Sequence, residues 1–107
     1  MRSAILSVVA CLAVFPSPAT AADAVRGRVL YEARCGLCHG TSVHSRSPRT
    51  AKDFDGIRIQ VRRWAGETGT GWSAEEMDDV SVYLNRRYYR FPCPSSLCGN
   101  EQASVAR

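Results

Sequence analysis

Within six residues, "CGLCHG" at positions 35 to 40, the chain sets out three side chains able to bind a metal or form a covalent bond: Cys35, Cys38 and His39. Their spacing separates three chemistries. A structural zinc site takes four ligands, usually as two short-spaced pairs; here three are crowded together, and adjacent Cys38 and His39 chelate one ion poorly. A thioredoxin-like dithiol follows a strand and opens a helix, whereas this motif follows a helical pattern and runs into a polar loop. Cys-x-x-Cys-His is also the signature of covalent haem attachment. Two thiols three residues apart can each form a thioether to a vinyl group on one porphyrin edge, and the next residue, His39, can then supply an axial imidazole to the iron. The motif is therefore read as a haem c site: Cys35 and Cys38 covalent, His39 the axial ligand, one haem per chain.

The other cysteines fit an oxidising compartment. The segment at 1–22 opens with Arg2, continues with an uncharged apolar run over 4–15, and passes Pro16 and Pro18 to the small residues Ala19, Thr20, Ala21 and Ala22. That is the anatomy of a secretory signal peptide, with the cut expected at Ala21 or Ala22. Its apolar run is too short for a bilayer, which needs about 20 residues, and no later stretch is longer. The expected protein is exported, periplasmic where there is a periplasm, without a membrane span once the leader and its Cys11 are removed. What remains suffices for one small domain, a size that calls for a cofactor, metal or disulfide staple. Cys93 and Cys98, in "CPSSLCG", are expected to form a disulfide that pins the C-terminal tail. Gly99, where a histidine would be needed, rules them out as a second haem motif.

The elements that must position this chemistry read as helices. "DAVRGRVLYEAR" (23–34) puts Val25, Val29, Leu30 and Ala33 on one helical face with Tyr31 at its margin. Gly27 costs helix propensity there and suggests a close approach by another element. "DFDGIRIQVRRWAG" (53–66) spaces Ile57, Val61 and Trp64 helically, with Gly66 as a stop. A third helix starts at Ser73, whose pairing with Glu76 makes a capping box. Its apolar stripe is Met77, Val80, Tyr83 and Leu84, and Pro92 ends it. Nothing reads as a strand. Long loops are expected over 40–53 and in "GETGTG" (66–71).

"GRVLYEARCGLCHG" resembles the first helix and haem motif of the small class I cytochromes c, and "WSAEEMDDVSVYLNRRY" is similar to their last helix, with the Tyr83–Leu84 pair. The resemblance implies an all-α, cytochrome c-like domain at 23–92, three main helices and long loops around one covalent haem, with a disulfide-pinned tail at 93–107. It also implies that the first and last helices cross at Gly27. One departure bears on the chemistry. Family members usually bring a methionine to the iron from the loop before the last helix, and here that loop, "GETGTG", holds neither Met nor His. The candidates for the sixth ligand are His44, Met77, more distantly Lys52, or none. An extended run from His39 to His44 spans only about 17 Å, a strained path around the porphyrin to its other face. Met77 sits at a core-facing position where Met is usually packing.

These features imply an electron-transfer protein rather than an enzyme: a one-electron carrier between a dehydrogenase donor and a cytochrome or oxidase acceptor, or a subunit of such an oxidoreductase complex. The competing reading is an open-site haem protein that binds or senses a small gaseous ligand. A haem-free metal module is a weaker third. The formal charge is +4, with Lys52 the only lysine. Basic and acidic residues are interspersed, which excludes nucleic-acid binding on charge grounds and leaves room for a mildly basic face meeting an acidic redox partner. Arg46, Arg49, Arg62 and Arg63 are candidate partners for haem propionates. Trp64 and Trp72 are candidates to flank the ring, and "YYRF" (88–91) is a candidate docking patch.

Overall fold

Asp23 starts the first helix, its carboxylate accepting the N–H groups of Val25 (2.9 Å) and Arg26 (3.1 Å), which satisfies two donors that a helix start leaves unpaired. The computed structural model describes residues 10–15, 21–36, 42–45 and 49–99. Helix α1 (Ala24–Tyr31) runs on as a π-helical turn, Glu32–Gly36. Then come a single turn α2 (Ser42–Ser45), α3 (Phe54–Thr68) and α4 (Ala74–Leu84), which continues as a second π-helical turn, Asn85–Tyr89. One more helical turn covers 95–99. The described residues contain no strand, so the architecture is all-α, as expected.

α1 crosses α4 at Gly27. A Cβ on Gly27 would overlap the carbonyl of Asp79 and lie 2.8 Å from the amide nitrogen of Val80. The two backbones meet where only hydrogen fits. This contact decides which face of α1 is inside, and it corrects the expectation from apolar spacing. Gly27 and Tyr31 are buried, whereas Val25 and Val29 are 74% and 63% exposed. Leu30 packs partly against the core and Ala33 is exposed. The crossing is tied by Asp79, a buried carboxylate that accepts the N–H of Asp23 (2.7 Å) on one oxygen and the Arg26 guanidinium (2.5 Å) on the other.

α3 is capped by Asp53, which accepts the N–H of Gly56 at 2.7 Å, and buries Phe54, Ile57, Val61 and Ala65. Its end is Gly69, at φ 65°, whose N–H bonds the carbonyls of Ala65 and Gly66. Gly69 rather than Gly66 is therefore the stop, because the left-handed cap needs a residue without Cβ at that place. The expected loop shrinks to 69–73 as a result. α4 has the expected capping box: Ser73 Oγ accepts from Glu76 N and Glu76 Oε1 accepts from Ser73 N, both at 3.1 Å. Its buried surface is wider than a stripe, since Asp79, Ser81 and Val82 join Val80 and Leu84, with α1 and α3 both packed on it.

The helix ends before Pro92, in a cap that spacing does not signal. Arg90 takes a left-handed conformation (φ 58°), and fully buried Asn85 receives the returning chain. Its Oδ1 accepts Phe91 N–H at 2.8 Å and its Nδ2 donates to Phe91 O at 3.0 Å. Cys93 and Cys98 form the expected disulfide, with Cα atoms 6.0 Å apart. Both are buried in the same cluster as Val80, Val82 and Leu84, so the two cysteines belong to the core while 94–96 between them stay exposed. Leu97 O accepts the backbone N–H of Ala22 (2.9 Å), and Cys98 O accepts from the Arg86 guanidinium Nη2 (3.2 Å). Upstream of Ala22, Leu12, Val14 and Phe15 are exposed; the other residues of the expected leader, 1–9 and 16–20, lie outside the described residues. No helix among the described residues is long and apolar enough to cross a membrane.

Candidate functional site

Between α1, α3 and α4 lies a cavity of about 540 Å³, within the roughly 300–1,000 Å³ of cofactor- and drug-sized pockets. Cys35 reaches its wall from the π-helical turn that extends α1. Around it, Tyr31, Val43, His44 and Tyr89 complete the wall on the motif's side. The floor is Val80 and Leu84 of α4. From α3 and the loop before α4 come Ile57, Gln60, Val61, Trp64, Ala65 and Trp72. Arg34 bridges the two sides at one end, its Nη2 within 3.5 Å of Thr68 O and 3.4 Å of Gly69 O.

Of the sequence-derived haem residues, Cys35 is placed on this cavity. Cys38 and His39 lie outside the described residues. Among the described residues no group of three or more His, Cys, Asp or Glu side chains could hold a metal ion. Among the described residues, what the cavity offers a haem is the Cys35 thiol beside apolar side chains, chemistry compatible with a flat apolar ring tethered through sulfur.

His44 is 8% exposed and lines the cavity, but its ring is committed elsewhere. Nε2 is 2.7 Å from the Tyr31 hydroxyl and Nδ1 is 2.8 Å from that of Tyr89. The Tyr88 ring stacks on the imidazole at 4.3 Å. Neutral imidazole donates from one nitrogen and accepts at the other, and a tyrosine hydroxyl can serve either. Burial pushes the Tyr31 phenol well above its usual range, with neighbouring Tyr88 adding to the effect. Met77 packs partly buried against the core and is not on the cavity wall. Lys52 is exposed and also off the wall.

The aromatic run at 88–91 turns inward instead of forming an exposed patch. Tyr88 covers His44, and Tyr89 stacks on Phe91 at 5.6 Å. Arg87 and Arg49 lie over Tyr88 and Tyr89, at 5.0 and 4.9 Å. Both tryptophans line the cavity, Trp64 remaining 48% exposed. Arg63 joins them on the rim, paired with Glu67 at 3.1 Å; Arg62 is exposed and Arg46 lies outside the described residues. The tyrosine–histidine cluster had a signal in the sequence only as isolated tyrosines, because Tyr31, His44 and Tyr89 are far apart along the chain.

Compared with models of known protein families, with curated proteins and with solved structures, the chain shows no match.

Proposed function

We propose that this protein is an exported monohaem c-type cytochrome that carries single electrons between a dehydrogenase and a downstream cytochrome or oxidase. The observation that carries the reading is the apolar cavity of about 540 Å³ with the first cysteine of Cys-x-x-Cys-His on its wall. An all-α fold whose first and last helices cross at a glycine supports the cytochrome c-like architecture. Cys35 and Cys38 would hold the haem through thioethers and His39 would bind its iron. Bound there, the haem supplies one-electron redox chemistry.

The chain's own part is to bury the ring and leave an edge for transfer. Ile57, Val61, Val80 and Leu84 exclude water, while half-exposed Cys35 marks the accessible edge. Arg34 and Arg63 on the cavity wall, with Arg62 nearby on α3, make that rim suited to an acidic partner surface. The reading assigns the protein no bond-making chemistry and no nucleic-acid partner.

The test is a pyridine haemochrome spectrum of protein exported from a host with haem c maturation. The expected result is the band position of a haem with both vinyls saturated, one haem per chain. Cys35→Ala should shift it to that of a single thioether, and Cys35→Ala with Cys38→Ala should abolish attachment. A colourless wild-type protein from such a host would defeat the proposal.

A further inference from the structure

Tyr31 and His44 form a buried acid–base pair. The Tyr31 hydroxyl lies 2.7 Å from His44 Nε2, and the two residues are 6% and 8% exposed. A phenol that loses one electron becomes a very strong acid and sheds its O–H proton in the same event. Water takes that proton from an exposed tyrosine. For a buried one the acceptor has to be a base already within hydrogen-bond reach, about 2.6–3.2 Å, and neutral imidazole is such a base near neutral pH.

The surroundings suit the product of that event as well as the starting pair. With its proton on Nδ1, His44 donates to the Tyr89 hydroxyl at 2.8 Å and accepts from Tyr31 at Nε2. Once Nε2 is protonated too, the imidazolium donates on both sides, to Tyr89 and to the Tyr31 oxygen. The Tyr88 ring, stacked on the imidazole at 4.3 Å, turns its π face to the new cation. Arg87 lies over the same ring at 5.0 Å but is exposed, so water screens its charge.

The other tyrosines are less suited. Tyr83, Tyr88 and Tyr89 are all partly exposed. Arg49 lies over Tyr89 at 4.9 Å as Arg87 does over Tyr88, and a cation above a ring opposes loss of an electron from it. Among the described residues no guanidinium lies over Tyr31. Burial keeps its phenol protonated until an electron leaves. Tyr83, its ring centre 5.9 Å from that of Tyr31, offers an aromatic step toward the surface.

We propose that Tyr31 is a redox-active tyrosine, oxidised by one electron as its proton passes to His44. The electron goes to an outer-sphere one-electron acceptor. The Tyr31 O–H bond breaks, an N–H bond forms at His44 Nε2, and a neutral tyrosyl radical and an imidazolium remain. Return of one electron through Tyr83, and of the proton from His44, restores the pair. Tyr31 thereby stores one oxidising equivalent on the wall of the cavity. This chemistry needs only the chain's own side chains and an outside acceptor, and it is independent of the haem c reading.

The test takes the full chain as purified, in its oxidised state, and photo-oxidises it with flash-generated tris(bipyridine)ruthenium(III). Electron paramagnetic resonance and transient absorption follow the product. A neutral tyrosyl signal is expected, forming more slowly in heavy water and coupled there to an exchangeable deuteron from His44. Tyr31→Phe, which keeps the ring and its packing, should lose that signal. His44→Asn, which can hydrogen-bond but takes no proton, should slow its formation roughly 100-fold or more. A tyrosyl signal that survives in Tyr31→Phe, or a wild-type signal on tryptophan, overturns the assignment to Tyr31. Equal rates in ordinary and heavy water overturn the proton transfer to His44, as does an unchanged rate in His44→Asn. If His44→Asn does not fold, the solvent effect and the deuteron coupling decide alone.

Discussion

Adding one methyl group at Gly27 tests the helix crossing on which the cavity depends. In Gly27→Ala the new Cβ overlaps the Asp79 carbonyl and lies 2.8 Å from Val80 N, where ordinary contact begins at 3.4 Å. Both obstacles are backbone, so no rotamer change relieves them, and α1 must part from α4 by roughly an ångström or more to clear the Asp79 carbonyl. That strains the bonds of Asp79 to Asp23 and Arg26 and loosens Tyr31 in the core. Overpacking costs about 1–3 kcal/mol, with rigid backbone placing this case near 3. Alanine's helix propensity returns about 1 kcal/mol, leaving a net loss of about 2 kcal/mol. At about 4–8 °C per kcal/mol for a domain of this size, Tm should fall by roughly 8–16 °C. Gly66→Ala is the matched control: also inside a helix, it has nothing within 4 Å of the added Cβ, so stability should rise by up to about 1 kcal/mol. Thermal and urea unfolding of both variants, followed by circular dichroism, reads the difference. A Gly27→Ala protein as stable as wild type would refute the crossing.

Three further outcomes are expected. The Tyr31 phenol, raised by burial, stays protonated in the fold while the unfolded chain ionises near its ordinary value of about 10; its contribution is therefore complete below pH 10 and lost as pH rises from there toward the folded value. Urea unfolding between pH 8 and 11.5 should show stability falling above pH 10, and a shallower fall in Tyr31→Phe; identical slopes would contradict the burial. Relieving the left-handed backbone of Arg90 with Arg90→Gly should stabilise by up to about 1 kcal/mol, while Asn85→Ala, which loses both bonds to Phe91, should cost about 2–3 kcal/mol; equal effects of opposite sign to these would mean that the cap is not formed. Removing the short disulfide loop as Cys93→Ser with Cys98→Ser should cost about 2 kcal/mol in the chain-entropy account. Thiol titration of the unreduced wild type should find neither Cys93 nor Cys98 reactive.

Much of the fold was legible because its signals are local. Ser73 and Glu76 stand three apart, as a capping box requires, and the structure forms it. The apolar periodicity of α3 identifies Ile57 and Val61 as core. Gly27 in an otherwise helical run announced a close contact, and the contact is there. The misreadings have one cause. Val25 and Val29 are apolar at helical spacing, yet α1 turns them outward because backbone proximity at Gly27 outweighs side-chain apolarity in choosing the inner face. Gly66 and Pro92 are ordinary stop residues, yet Gly69 and the Arg90–Asn85 pair end the helices, since a cap depends on where the following chain goes. Trp64, spaced helically with Ile57 and Val61, lines the cavity and stays 48% exposed.

The sequence by itself determined the helical class, the capping box of α4 and the pairing of Cys93 with Cys98, because each is a matter of residue type at short separation. The tertiary structure alone decided which side chains line the cavity. It brought Tyr31, His44 and Tyr89 together from distant parts of the chain, engaging the imidazole that the sequence offered to the iron. It also put residues of α1, α3 and α4 around one cavity, a consequence of helices meeting in space that no local spacing records.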